Sequence, residues 1–175
     1  MLGQPIRQIG YVVEDIRKAA EQHHRMFGSG PFFAGDHSRA TVTFEGKEVE
    51  FRYSVAFGQC GRVQVELLQA HDDLPSILNR RHPFGSGLYG MHHVAVFADD
   101  LDSAIRDLEA AGHPLFFEYR DDDEGIRAVM VDTFSSYGHD LELYQKGPFI
   151  DRFYNMVEEA AKGFDGKHLI RPLEM

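Results

Sequence analysis

The strongest constraint on this chain is that it repeats itself. Gln8-Ile9-Gly10-Tyr11-Val12-Val13-Glu14-Asp15-Ile16 aligns with His93-Val94-Ala95-Val96-Phe97-Ala98-Asp99-Asp100-Leu101 at a constant offset of 85 residues, and Ala19 falls on Ala104. Each copy reads as a buried strand, an acidic helix cap and an amphipathic helix. Each strand also opens with a side chain able to bind a metal, Gln8 in one copy and His93 in the other. A unit made twice predicts two like modules packed on each other.

The chain in order supports that division. After the first strand, Ile16, Ala19, Ala20, His23 and Met26-Phe27 follow helical spacing, and Gly28-Ser29-Gly30-Pro31 ends the helix. Phe32-Phe33 begins extended chain, and 36–39 reads as a turn or loop. Ala40 to Phe44 and Val49 to Phe57 are strands about a turn at Glu45-Gly46-Lys47. A further strand, Arg62 to Leu68, sets Gln64 and Glu66 on one face. A long link from Gln69 to Gly90 holds Pro75-Ser76-Ile77-Leu78, read as a short helix near the mouth of any site between the halves. The second half repeats the order: strand Met91 to Ala98, helix Leu101 to Ala111 capped by Gly112, Leu115-Phe116-Phe117, an acidic hairpin tip at Asp121 to Glu124, and strand Ile126 to Val131. A turn at Ser135 to Gly138 leads to a last strand with Asp140, Glu142 and Tyr144 on one face. Beyond Gly147 nothing repeats. Phe149, Ile150, Phe153, Tyr154, Val157 and Ala160 mark an amphipathic helix, and 164–175 reads as an extended arm. The expected organisation is a single α+β domain over 1–175: module one at 5–69, a linker at 70–90, module two at 91–146, and the helix and tail at 147–175.

Charge narrows the partners. With 18 basic and 28 acidic residues the net charge is −10, which disfavours nucleic acid and anionic membranes. One cysteine, Cys60, allows no internal disulfide and suits a reducing compartment. It sits in a turn with no activating neighbour, so no catalysis is assigned to it. The first residues lack an apolar signal core, and no apolar run is long enough to span a bilayer. The expectation is a cytoplasmic protein.

Four side chains stand out. Gln8 and His93 open the first strands of the two halves, and Glu66 and Glu142 lie on the last ones. If the halves pack side by side, an amide oxygen, an imidazole and two carboxylates converge on one cleft. That set suits a divalent ion of borderline hardness: zinc first, with cobalt, nickel or manganese also compatible. Within the pair His92-His93 the repeat register selects His93 as ligand and leaves His92 to pack or hydrogen-bond. A carboxylate such as Glu142 in an apolar strand is costly unless it meets a cation. His23-His24 and the run from Asp121 to Glu124 read as packing and solvated residues.

These residues carry a resemblance. The stretches Gln-Ile-Gly-Tyr-Val-Val-Glu-Asp-Ile, Val-Gln-Val-Glu-Leu-Leu, His-His-Val-Ala-Val-Phe-Ala-Asp-Asp-Leu and Gly-His-Asp-Leu-Glu-Leu-Tyr resemble the vicinal oxygen chelate superfamily. Its members include glyoxalase I, methylmalonyl-CoA epimerase, extradiol dioxygenases and bleomycin-resistance proteins. The resemblance covers roughly 5–146. It implies paired βαβββ modules whose sheets curve around one metal, with ligand positions at Gln8, Glu66, His93 and Glu142. The order Gln, Glu, His, Glu is similar to zinc-type glyoxalase I. The linker, Glu-Leu-Leu-Gln-Ala to Gly-Leu-Tyr-Gly-Met-His-His-Val-Ala, is more like that of the epimerases. Gln8 occupies a position where an extradiol dioxygenase needs histidine, which argues against oxygen activation.

The function this implies is a metal-dependent isomerase or epimerase that enolises a carbonyl or acyl thioester substrate, in the manner of methylmalonyl-CoA epimerase. Glu142 is the first candidate base and Glu66 the second. The alternatives are a glyoxalase I-like lactoylglutathione lyase and a non-enzymatic binder like the bleomycin-resistance proteins. Expected partners are an acyl-CoA, or a glutathione thioester or hemithioacetal, and a second copy of the chain as a homodimer. A further base for epimerisation is sought among Glu45, Glu48 and Glu50, and Arg80-Arg81 is the candidate handle for an anionic group such as a coenzyme A phosphate.

Overall fold

A computed structural model describes residues 3–174. Met1, Leu2 and Met175, the ends of the expected domain and tail, lie outside the described residues. In chain order the elements are β1 (Gln8–Val12), α1 (Ile16–Phe27), β2 (Phe32–Phe44), β3 (Lys47–Cys60), β4 (Val63–Ala70), β5 (Gly90–Ala98), α2 (Leu101–Ala110), β6 (Leu115–Asp121), β7 (Ile126–Val131), α3 (Phe134–Tyr137), β8 (Asp140–Gln145), α4 (Pro148–Ala161) and β9 (Ile170–Pro172). The fold is α+β, and the order strand, helix, three strands occurs twice.

One nine-stranded sheet runs β3-β4-β1-β5-β8-β7-β6-β2-β9. β2 also pairs along its length with β3, so eight strands curve round into a barrel-like cup. The first strands of the two copies, β1 and β5, meet antiparallel at the centre. Each is flanked by the last strand of its own half in parallel, β4 beside β1 and β8 beside β5. That arrangement follows from the repeat and sets the candidate side chains next to one another.

α1 and α2 pack on the outside of the cup. Asp15 caps α1 through bonds from the Arg17 and Lys18 amides at 2.9 and 3.0 Å, and Asp100 caps α2 through the Ser103 amide at 2.9 Å. Caps of this kind contribute about 1 kcal/mol each. α1 buries Ile16 and Ala20 against Phe32, Val65 and Leu67, and α2 buries Leu101 and Ala104 against Val96, Val129 and Leu143. The inner face forms a separate core that includes Val12, Phe51, Val55, Leu68, Ile77, Phe117 and Met130.

Three local expectations are corrected. Residues 36–39 are not a loop between strands: β2 continues through them with a register shift between Gly35 and Ser38, and His37 takes φ 51° there. A bulge accommodates the extra residue and bends the strand, which a chain closing into a cup requires. The stretch from Pro75 is a series of turns and not a helix. Asn79 stabilises them by donating to the carbonyls of Asp72 and Leu74 and accepting from the Phe84 amide. The Ser135–Gly138 turn is the end of the short helix α3, with Gly138 left-handed at φ 74°. The hairpin at Glu45-Gly46 is as expected: φ values of 48° and 75° are those of the tight turn that matches strand twist.

α4 has no counterpart in the first half. It lies over the inner face, where Ile150 and Tyr154 pack on Phe97. The chain then returns along the barrel, and β9 adds in parallel to β2 through Phe32, Phe33 and Ala34. No helix among the described residues is long and apolar enough to cross a membrane.

Candidate metal centre

The central strand pair alternates large and small side chains across the ladder. Gln8 faces Ala95, and Gly10 faces His93. On the flanks, Gly10 pairs with Glu66 and Ala95 with Glu142. Two small residues thus leave room for four polar ones. Gly10 is indispensable to this: a Cβ there would stand 2.1 Å from His93 Cε1.

The four expected residues converge. His93 Nε2 lies 3.1 Å from Glu66 Oε2, 3.2 Å from Glu142 Oε2 and 3.3 Å from Gln8 Oε1. Gln8 and His93 are fully buried, and Glu66 and Glu142 nearly so. Gln8 is oriented by donating from Nε2 to Gln64 Oε1 at 2.6 Å, which turns its carbonyl oxygen toward the centre. Gln64 thus joins the four expected residues, and its place two residues before Glu66 on the same face of β4 is the sequence signal for it.

Behind His93 the tautomers are set by elimination. The Ile77 carbonyl can only accept, so His92 Nε2, 3.0 Å away, carries a proton. Burial, with His93 beside it, drives the His92 pKa down to about 3, so its ring is neutral and Nδ1 is an acceptor. His93 Nδ1, 2.9 Å from it, therefore donates. His93 Nε2 is left facing three oxygens. The linker thus reaches the site through Ile77, whose carbonyl holds His92 and whose side chain lines the cavity.

One N–H cannot serve three oxygens, and Glu142 Oε2, although 3.2 Å away, receives no hydrogen bond. Two carboxylates, an amide oxygen and a ring nitrogen directed at one point form a donor set that a divalent ion fits. The ligand atoms of Glu66, His93 and Glu142 lie within 4.8 Å of one another, the one such group found among the described residues. The charges respond as the crowding requires. Burial raises the Glu142 carboxyl to about 7, with Glu66 adding to the rise and His93 and a hydrogen bond from Tyr144 opposing it. Burial pulls His93 down, but Glu142 and Glu66 outweigh it and raise its pKa.

Glu66, His93 and Glu142 form part of the wall of a cavity of about 440 Å³ inside the cup. The other expected groups lie away from it. Glu45, Glu48 and Glu50 are exposed, on the outward parity of a hairpin whose Phe51, Tyr53, Val55 and Phe57 line the cavity. None of the three supplies a base. Arg80 and Arg81 bind Asp132 at 2.8 and 3.0 Å and lie over the rings of Phe116 and Phe134, so they are structural and not a free handle. His23 packs near Phe27 and Phe32 and meets Ser29 Oγ at 2.6 Å.

The profile of the Glyoxalase/Bleomycin resistance protein/Dioxygenase superfamily matches residues 7–130. The chain belongs to this superfamily. A comparison with curated proteins finds no match. Among solved structures, the superfamily chain is similar to a methylmalonyl-CoA epimerase from Mycobacterium tuberculosis, with 18% identity, 84% of this chain and 91% of that one covered, and a TM-score of 0.56. It is also similar to a variant of the Streptomyces coelicolor methylmalonyl-CoA epimerase in complex with 2-nitronate-propionyl-CoA, with 19% identity, 85% and 100% covered, and a TM-score of 0.59. A hypothetical protein from Bacillus halodurans gives 15% identity, 83% and 96% covered, and a TM-score of 0.55. At these identities the likeness is one of fold.

Proposed function

We propose that the chain is a metal-dependent isomerase or epimerase that enolises a carbonyl or acyl thioester compound, with Gln8, Glu66, His93 and Glu142 holding the ion. A divalent ion held there would polarise a substrate carbonyl and acidify the neighbouring C–H. The observation that carries the reading is the pair of buried carboxylates on opposite flanks of one imidazole. Glu66 stands on β4 and Glu142 on β8, with the β1–β5 pair between them. Glu142, a buried carboxylate beside the imidazole at the edge of the ion's place, is positioned to take a proton from carbon and give it back. Glu66 on the other flank can deliver a proton from the opposite side, which is what inversion at carbon needs. α4 adds Ile150 and Phe153 to the apolar wall of the cavity beside these groups. The fold likeness to methylmalonyl-CoA epimerases favours an acyl thioester as substrate.

A glyoxalase I-like lyase is the second reading, favoured by the donor order Gln, Glu, His, Glu. There the proton returns to the adjacent carbon and not to the original one. The two are separated by proton NMR in deuterium oxide with acyl-CoA thioesters and with hemithioacetals. Epimerase chemistry predicts label at the carbon beside the thioester carbonyl, lost with Glu142→Gln. Wild-type protein carrying metal but exchanging no proton of either class would point to a binding protein.

A further inference from the structure

The cavity that contains the metal centre says more about the substrate than the centre does. Its volume of about 440 Å³ is that of a small-molecule site. Glu66, His93 and Glu142 make one polar cluster in its wall, and the rest is dominated by apolar side chains. Phe51, Tyr53, Phe57, Phe117, Tyr144 and Phe153 contribute rings to the wall. Phe51 and Tyr53 stack at 4.2 Å with 10° between their planes, and Phe57 meets Phe153 edge to face at 4.8 Å. The unrepeated parts of the chain complete this wall: α4 supplies Phe153 and Ile150, and the arm supplies Leu173.

Cations are nearly absent from it. Arg39 is the one lysine or arginine among the described lining residues. Its side chain is 66% exposed, and its guanidinium is 3.9 Å from Glu50. A carboxylate carried at the far end of a substrate would enter this cavity without a fixed positive partner, which is costly. A phenyl-sized apolar group would bury its surface there favourably.

We infer that the substrate carries an enolisable carbonyl at one end and an apolar, ring-bearing body at the other, and no second anionic group inside the cup. This rests on the enolisation reading and names the substrate class for that site. It sets this chain apart from a protein whose substrate is a small dicarboxylic acyl group.

The test uses phenylpyruvate and 2-oxoglutarate, which share a 2-oxo acid head and differ in a phenyl ring against a carboxylate. Their binding to the full chain, loaded with zinc, is measured by titration calorimetry. The expected result is a Kd for phenylpyruvate lower by roughly tenfold or more. Phe153→Arg, which sets a cation against that wall from α4, is expected to shrink the ratio. Equal binding, a preference for 2-oxoglutarate, or binding of neither compound overturns the inference. The wild-type pair decides the matter even where the variant fails to fold. Exchange of the C3 hydrogens of both compounds in deuterium oxide is followed alongside. Ring-selective binding without exchange would sink the enolisation reading and leave the cavity's selectivity standing, whereas exchange without ring selectivity would do the reverse.

Discussion

His92 and His93 act in series, and this makes two predictions at the scale of single residues. Because His92 accepts from His93 Nδ1 and is itself held by the Ile77 carbonyl, it fixes the ring that presents Nε2 to the centre. Outer partners of this kind tune metal affinity by about 10–100-fold. His92→Ala should therefore weaken zinc binding by that order, measured by competition with a chelating dye, while Gln8, Glu66, His93 and Glu142 remain. Unchanged affinity would refute the relay. The second prediction concerns Glu142. Its folded-state pKa of about 7 is above the ordinary carboxylate value of 4.5, so the metal-free native state holds a proton that the unfolded chain releases. That contribution is present in full below pH 4.5 and is lost as pH rises through about 7. Metal-free Glu142→Gln, which keeps the neutral form at all pH values, should match the wild type in Tm near pH 5 and exceed it at pH 8. The stability difference is of order a few kcal/mol at most. Metal loading reverses the sense, since bound metal stabilises the ionised carboxylate and its affinity rises with pH.

At the scale of elements, β1 and α4 matter most. β1 can lie under His93 only because residue 10 has no side chain. Gly10→Ala would put a methyl where the imidazole ring sits, so the ring must leave or the strands must part. The expected result is loss of metal with a destabilisation of about 1–3 kcal/mol, read by elemental analysis and thermal melting. Tyr154 on α4 offers the opposite case. Its hydroxyl is buried with no hydrogen-bond partner. Tyr154→Phe should leave Tm unchanged or raise it, because an unsatisfied buried hydroxyl is removed and the ring contact with Phe97 is kept. A marked fall in Tm would mean that the hydroxyl has a role in the cup.

At the scale of the whole molecule, the repeat explains why so much could be read in the sequence. An offset of 85 residues put Gln8 and His93 at matching places, and the fold brings them within 3.3 Å across the central ladder. Glu66 and Glu142 followed because each ends its own half on a strand flanking that pair. What was misread lacked such a partner. The base sought among Glu45, Glu48 and Glu50 fails on parity: Phe51, Tyr53, Val55 and Phe57 alternate inward, so Glu48 and Glu50 face out. That alternation was visible, but which face of a hairpin turns into a cup depends on closure with a distant strand. The bulge in β2 is likewise a product of closure, and β2 meets β6 through only two residue pairs, Thr43 with Glu118 and Phe44 with Phe117. The ion pairs of Arg80 and Arg81 with Asp132 span about fifty residues of sequence and left no local signal. The tail has no copy to compare; its helix and extended arm are legible from their own pattern, but the place of β9 on the edge of β2 has no local signal. Removing residues after Gly163 should lower Tm yet keep a cooperative transition, because the barrel closes without β9.

The most direct measurement is the metal content of the purified protein, wild type beside His93→Ala, by elemental mass spectrometry. Convergence of Gln8, Glu66, His93 and Glu142 on one point predicts about one divalent ion per chain in the wild type and its loss in the variant. An ion retained by His93→Ala, or no ion in the wild type after incubation with zinc, cobalt, nickel and manganese, would contradict it.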